Sequence, residues 1–136
     1  MLNKAPEQAL FDELFKASTS FKYSTYDHLP LGTEKATYPF VNIGEVQFVP
    51  MVTVGSIQGS LSLTVHIWGD AKQRKRVSDM MNTLFLCAAN LETVGDYRVQ
   101  FRYNSSTTRL LDDTSVPNSI LKHGMLELEY RLLGGR

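Results

Sequence analysis

The chain has little of several features that mark common protein classes. It contains a single cysteine, Cys87, so no disulfide can form within it, and a reducing compartment is the expected setting. Acidic and basic residues number 14 each, which argues against a general polyanion binder because such proteins carry a basic excess. No apolar run approaches the ~18 residues of a membrane-spanning helix. The N-terminus leads into an amphipathic pattern, from which we expect no signal peptide.

The composition is otherwise that of a globular protein. Hydrophobic residues make up 43% of the chain and charged residues 21%, which disfavours wholesale disorder. The 136 residues suit one domain, which we expect to span 1–136. A domain of this length buries roughly two-thirds of the surface that its unfolded chain exposes. A core can therefore form without disulfides or a structural metal.

Hydrophobic periodicity predicts two amphipathic helices and several strands. Residues 4–17 carry one apolar stripe, and residues from Asp70 to about Leu91 carry another, with Asp70 and Gln73 as a capping-box-like pair at the start. Residues 60–68 alternate strictly between apolar and polar side chains, which is typical of a half-buried strand. Alternation or β-forming residues predict further strands at 40–49, 97–103, 108–116 and 124–133, and a short one around Phe21, Tyr23 and Tyr26.

This order of elements predicts an α+β fold. We expect a single antiparallel or mixed β-sheet of about four to six strands, with two α-helices packed on one face and a long β-hairpin. The other face would be partly polar, since strands covered on both faces are continuously apolar. Residues 50–59 form either a long loop or the tip of a hairpin whose strands extend past the sheet.

The histidines and the cysteine lack the patterns that metal binding or nucleophilic catalysis needs. His28, His66 and His123 have no metal-ligand spacing to one another or to Cys87. We place His66 on the polar sheet face and the other two in loops. Cys87 lies among apolar helix residues and is interpreted as an inert buried thiol.

The acidic pair Asp112 and Asp113 is also a weak candidate for a site. Adjacent strand residues point to opposite faces, so a shared site is disfavoured and a solvated turn is the preferred interpretation. No nucleophile elbow, phosphate-binding loop or dinucleotide fingerprint occurs in the chain. We therefore predict that the protein is not an enzyme and has no catalytic, metal-binding or cofactor-binding residues.

Two segments are better explained by assembly than by the core. The first is apolar and lies between two predicted strands, where it matches no core pattern; its residues are Met51, Val52, Val54 and Ile57. Exposed strand edges and apolar arms readily add strands from other chains. The second is basic and opens the second helix, where cations oppose the helix dipole; its residues are Lys72, Arg74, Lys75 and Arg76. The first could instead fold over the sheet edge, and the second could be a solvated basic face.

Three short segments give the chain a resemblance to a known family. They are Tyr38-Pro39-Phe40-Val41, Ile43-Gly44-Glu45-Val46 and, after the long hairpin, Leu63-Thr64-Val65-His66-Ile67-Trp68. In this order, followed by a polar linker and a helix, they resemble the tail-completion, or tail-terminator, proteins of long-tailed bacteriophages. The resemblance extends over about residues 5–133 and rests on strand signatures.

The resemblance implies a structural role in the virion. It predicts a homo-oligomeric ring, of six subunits, that caps the head-proximal end of the tail tube, ends tube growth and joins the tail to the filled head. The implied partners are the tail-tube protein and a head-connector protein, with DNA passing through the ring lumen but no sequence-specific nucleic-acid binding and no membrane. The implied location is the virion neck, with assembly in the host cytoplasm. Because the family has no catalytic residue, the resemblance implies none in this chain.

Two other classes stay open at this point. One is a different head-tail connector, such as a head-closure component, although three alternating strands argue against a mostly helical adaptor. The other is a small ligand-binding domain or enzyme, which would need a deep polar pocket with perturbed titratable groups.

Overall fold

The structure is a computed structural model that describes residues 4–30, 37–51 and 55–135. It confirms the predicted α+β class. In chain order the elements are α1 (Pro6–Ser20), β1 (Thr25–Tyr26), β2 (Phe40–Met51), β3 (Gln58–Gly69), α2 (Arg74–Ala89), β4 (Thr93–Val94), β5 (Tyr97–Phe101), a 3₁₀ turn (Tyr103–Ser105), β6 (Thr107–Asp113) and β7 (Leu121–Gly135). Neither helix in these ranges is both long and apolar enough to cross a membrane.

The strands form one mixed sheet of seven strands, two of which are only two residues long. The order is β1-β2-β3-β7-β5-β4, and β6 pairs with β7 on the same side as β5. β1 pairs with β2 in parallel, and all other pairs are antiparallel. The two long central strands, β3 and β7, pair from Gly59 opposite Leu132 to Gly69 opposite Lys122. Most of the sheet is therefore organised around one pair of long neighbours.

One face of the sheet carries the core because the strands alternate as predicted. In β3 every second residue from Leu61 to Ile67 is buried, while the residues between them are half-exposed. In β7 every second residue from Leu126 to Leu132 is likewise buried, and the residues between them are exposed or half-exposed. Both helices lay their apolar stripes on this face, with Leu10 and Leu14 from α1 and residues such as Leu84 from α2. We call the opposite face the outer face.

The start of α2 differs from the prediction. The helix begins at Arg74, and the residues from Asp70 to Gln73 form a turn in front of it. The Asp70 carboxylate accepts from the backbone N–H of Lys72 at 2.9 Å, and the Gln73 side-chain carbonyl accepts from the Asp70 N–H at 2.9 Å. Both side chains thus accept from backbone N–H groups within the turn, those of Lys72 and Asp70, and neither caps the helix.

The hairpin between β2 and β3 is longer than the predicted strands. β2 continues through Pro50 to Met51, opposite Gln58, so Pro50 does not end the strand. A register shift between Ile43 and Val46 marks a bulge at Gly44 and Glu45. Of the two interpretations of residues 50–59, the extended hairpin is the one that the structure supports.

Candidate functional site: assembly surfaces

The apolar hairpin segment is exposed where the structure describes it. The exposed fractions are 52% for Met51 and 47% for Ile57. The preceding Val49 is also 52% exposed, which extends the apolar surface down β2. Val52 and Val54, which belong to the same predicted surface, lie outside the described residues. We call Val49, Met51 and Ile57 the hairpin arm.

The basic run lies at the other end of β3. Lys72 belongs to the turn, and Arg74, Lys75 and Arg76 form the first turn of α2; all four are exposed. Lys75 pairs with Asp79 at 2.8 Å, whereas the other three have no ion pair with any residue in the described ranges. β3 spans roughly 35 Å between Gln58 and Gly69, at about 3.3 Å per residue. The structure therefore separates the two predicted surfaces and does not combine them into one site.

Two long strand edges are open in the part of the chain that is described. β1 pairs with only Val41 and Asn42, which leaves the edge of β2 from Ile43 to Met51 without a neighbour. On the opposite side, β6 pairs only with β7, so its other edge is open along Thr107–Asp113. Strand edges of this length are templates for pairing with another chain.

A cleft lies beside the open edge of β6. It has a volume of about 480 Å³ and runs between α2 and β6. Met81, Phe85 and Leu110 supply apolar lining, and Arg74 and Ser78 supply polar lining. Arg109 also borders the cleft, but its guanidinium is directed to the outer face, where it pairs with Glu127 at 3.3 Å on the adjacent β7. The cleft therefore offers apolar surface next to positive charge.

The outer face carries an imidazole and aromatic cluster at the end of the sheet near β1. His66 Nδ1 and His123 Nε2 are 2.8 Å apart and share a hydrogen bond. His123 stacks on the Trp68 ring at 3.8 Å between centroids, with 8° between the planes. The Trp68 indole N–H is buried and has no hydrogen-bond partner among the described residues. His66 is on the outer face as predicted, but His123 lies in β7 and is buried, so its placement in a loop was wrong.

The surroundings of the two imidazoles favour their neutral forms. Burial lowers the pKa of His66, and the carboxylates of Glu45 and Glu127 act in the opposite direction. Burial and the neighbouring His66 lower the pKa of His123, with Asp113 opposing them. A hydrogen bond between two imidazoles needs one nitrogen to accept, so protonation of both rings would break it.

The remaining titratable candidates are Cys87 and the acidic pair. Cys87 is half-buried on α2 and not fully buried as expected, and burial raises the pKa of its thiol, which favours the protonated form. Asp112 and Asp113 lie at the end of β6 and not in a turn; Asp112 pairs with Lys122 at 2.6 Å, and Asp113 accepts from the Ser115 backbone N–H. Among the residues described, no group of three or more His, Cys, Asp or Glu side chains is placed to hold a metal ion.

The comparisons with known proteins give a likeness to solved structures but not to known sequences. No protein-family model and no curated protein sequence matches the chain. Among solved structures, it is similar to a chain of the virion of a native gene transfer agent particle, with a TM-score of 0.64 over 94% of both chains. The identity between them is 12%, so the likeness shows a shared fold. The chain therefore has the fold of a protein in that virion.

The sequence led us to expect exposed strand edges but did not show which strands carry them, and it gave no sign of the α2–β6 cleft. Both depend on the order of strands in the sheet, which no local pattern specifies. The histidine pair was missed for a similar reason. His123 meets His66 only because β7 places it opposite Trp68 on β3, 55 positions away in the sequence. The signal that was present is the alternation of β3 and β7, which places His66 and His123 on one face once the two strands are paired.

Proposed function

We propose that this protein is a structural component of a phage virion, and that it forms a ring which ends tail growth and joins the tail to the head. The observation that carries the proposal is the fold shared, over 94% of both chains, with a protein of a gene transfer agent virion. The strand-signature resemblance to tail-terminator proteins supports the finer role. A non-catalytic function is part of the same proposal.

The two open strand edges support assembly into a ring. They lie on opposite sides of the sheet, so one copy can present the edge of β2 and another the edge of β6. Such a head-to-tail contact uses two different surfaces and generates a ring when the rotation closes. We further propose six copies, in line with the family resemblance.

We propose that the hairpin arm contacts another subunit and that the basic run contacts a partner protein. Burial of Met51 and Ile57 against another subunit would contribute about 25 cal/mol per Å² of apolar area, less the cost of ordering. The basic run would steer the ring onto an acidic surface of the tail-tube or head-connector protein, an effect that salt weakens. The ring would act in the virion neck, after assembly in the host cytoplasm.

The other two classes receive less support. A mostly helical adaptor does not match a fold with seven strands and two helices. A ligand-binding domain would need a deep pocket with perturbed groups, yet the α2–β6 cleft is lined by neither His66 nor His123, the imidazoles whose pKa values are lowered.

Electron microscopy of the purified full chain, with sedimentation across a concentration series, tests the proposal. We expect rings with a central opening, either from the protein alone or on added tail tubes. Charge reversal at the basic run, written Lys72→Glu, Arg74→Glu, Lys75→Glu and Arg76→Glu, should keep or slightly raise Tm, because it removes a clash with the helix dipole. The same variant should fail to join tails to heads. A protein that stays monomeric both alone and with tail tubes would refute the ring.

A further inference from the structure

We propose that neighbouring copies join through one defined antiparallel strand pair, in which the β2 edge of one copy binds the β6 edge of the next with Glu45 opposite Arg109. The inference rests on the proposed ring and specifies its interface. The occupant of the α2–β6 cleft is then a second copy of this chain.

Strand direction is compatible with this pairing. β2 is antiparallel to β3, β3 to β7, and β7 to β6, so β2 and β6 run in opposite directions within one copy. Rotation about an axis along the strands preserves those directions from copy to copy. The β2 strand of a neighbour therefore meets β6 in the antiparallel orientation, the more stable of the two.

Side-chain alternation restricts the register. On β6, Leu110 points to the helix-covered face and packs against the core, so Arg109 points to the outer face, where it contacts Met125 and Glu127. On β2 after the bulge, Val46 and Phe48 pack against the core. Directly opposite residues of an antiparallel pair point to the same face of the sheet. Val46 must therefore lie opposite a β6 residue that also points to the helix-covered face, which leaves Thr108, Leu110 and Asp112.

Charge selects one of these registers. Glu45 is the only charged residue in β2, is exposed, and lies close enough to His66 on the outer face to interact electrostatically. With Val46 opposite Thr108, Glu45 faces Arg109, which also lies on the outer face. Moving the register by two residues each time places Glu45 opposite Leu111 and then opposite Asp113, a like charge. Opposite charges stabilise a cross-strand pair and like charges destabilise it.

The same register covers apolar surface that is exposed in the single chain. Val46 and Phe48 are only partly buried in their own copy, and they would enter the neighbour's cleft beside Phe85 and Leu110. The strand pair ends with Gln47 opposite Thr107, where β6 begins, and the hairpin arm extends past it on the side of the neighbour's 3₁₀ turn, where Tyr103 is 64% exposed. The hairpin arm and the open edge would then bury apolar surface in a single interface.

Disulfide trapping tests the register directly. The variant Gln47→Cys with Thr107→Cys, in a Cys87→Ala background, keeps Glu45 and Arg109 and places cysteines at the next outer-face pair of the same register; its two thiols are separated within one copy by three strand spacings, about 14 Å. A disulfide usually needs Cα atoms within about 7 Å, so these thiols cannot join in the same chain. We expect mild oxidation to give a ladder of covalent oligomers on a non-reducing gel that stops at the ring size.

The matched control is Gln47→Cys with Leu111→Cys, whose thiols would meet only in the register that places Glu45 opposite Asp113. We expect at least a tenfold lower rate of ladder formation from it, and equal rates would overturn the assignment. Thr107→Cys alone should give no dimer; a rapid dimer would indicate a two-fold β6–β6 contact and would also refute the inference. If microscopy shows rings while the variant with Gln47→Cys and Thr107→Cys gives no ladder, the interface is wrong and the proposed function stands. If neither rings nor ladder form, both are wrong.

Discussion

Alanine at Gly124 should weaken the packing of α2 on the sheet, because the helix lies directly against the backbone of β7 there. A Cβ on Gly124 would lie 2.5 Å from Met81 Sδ, 2.9 Å from Met81 Cγ and 3.0 Å from Val77 Cγ1. Ordinary carbon contacts are about 3.5–4.0 Å, so the helix or the Met81 side chain must move by about 1 Å. Met81 and Val77 are both buried, which limits that movement.

The expected magnitude follows from two opposing effects. Overpacking of a buried site costs about 1–3 kcal/mol. Replacing glycine with alanine restricts the unfolded chain and returns about 0.4–1 kcal/mol. The free energy of unfolding should therefore fall by about 1–2 kcal/mol in the Gly124→Ala variant, measured by urea denaturation at concentrations where the protein sediments as a monomer.

Two further variants make the result decisive. Gly44→Ala is the matched control, since its Cβ would meet only His66 Cδ2 at 3.2 Å and nearby atoms at 3.4 Å, and we expect a change within about 0.5 kcal/mol. Met81→Ala removes the clashing side chain, so combining it with Gly124→Ala should cost at least about 1 kcal/mol less than the two changes added together. Additive effects, or equal stability of the Gly124→Ala and Gly44→Ala variants, would refute the packing argument.

Two other predictions concern buried polar groups. The pKa values of His66 and His123 are lowered in the folded protein, so the unfolded chain binds more protons below about pH 6.5. The free energy of unfolding should therefore fall as pH decreases from there, by at most ~1.4 kcal/mol per pH unit for each proton. His123→Phe keeps the stack on Trp68 and should flatten this dependence between pH 6.5 and 5; an unchanged slope in thermal melts would contradict it. The Tyr130 hydroxyl, which is fully buried, donates to the Ala88 carbonyl at 2.6 Å, so Tyr130→Phe should cost about 1 kcal/mol in urea denaturation, and an increase in stability would contradict that.

The parts of the fold that sequence reasoning predicted are those with a local physical cause. The alternation of residues 60–68 follows from a strand with one buried face, and that segment lies within β3. The stripe from Val77 onward follows from a helix with one buried face, and all of it except its last residue, Leu91, lies within α2. In each case the local pattern of apolar residues identifies the buried side of the helix or strand, and it does so without information from distant parts of the chain.

The parts that it missed are decided by contacts between distant segments. β1 is two residues long, and it forms because Thr25 and Tyr26 lie beside Val41 and Asn42. The end of β2 was misplaced because Pro50 removes a backbone donor, which matters in the sheet interior but not on an open edge. Pro50 near the end of a long strand is thus itself a sign that β2 lies at the edge of the sheet.

The open edge of β2 is less protected than the edges of most natural sheets. Natural sheets protect their edges with charged residues, prolines, bulges or very short strands. The edge of β4 follows this rule, since the strand has two residues. The edge of β2 has one bulge, one charge, Glu45, and Pro50 near its end, yet between them it continues through the apolar residues Val46, Phe48 and Val49. A partner strand would satisfy the backbone of this edge and bury its apolar side chains, so an edge left this open is better explained by pairing with a second copy than by the stability of one.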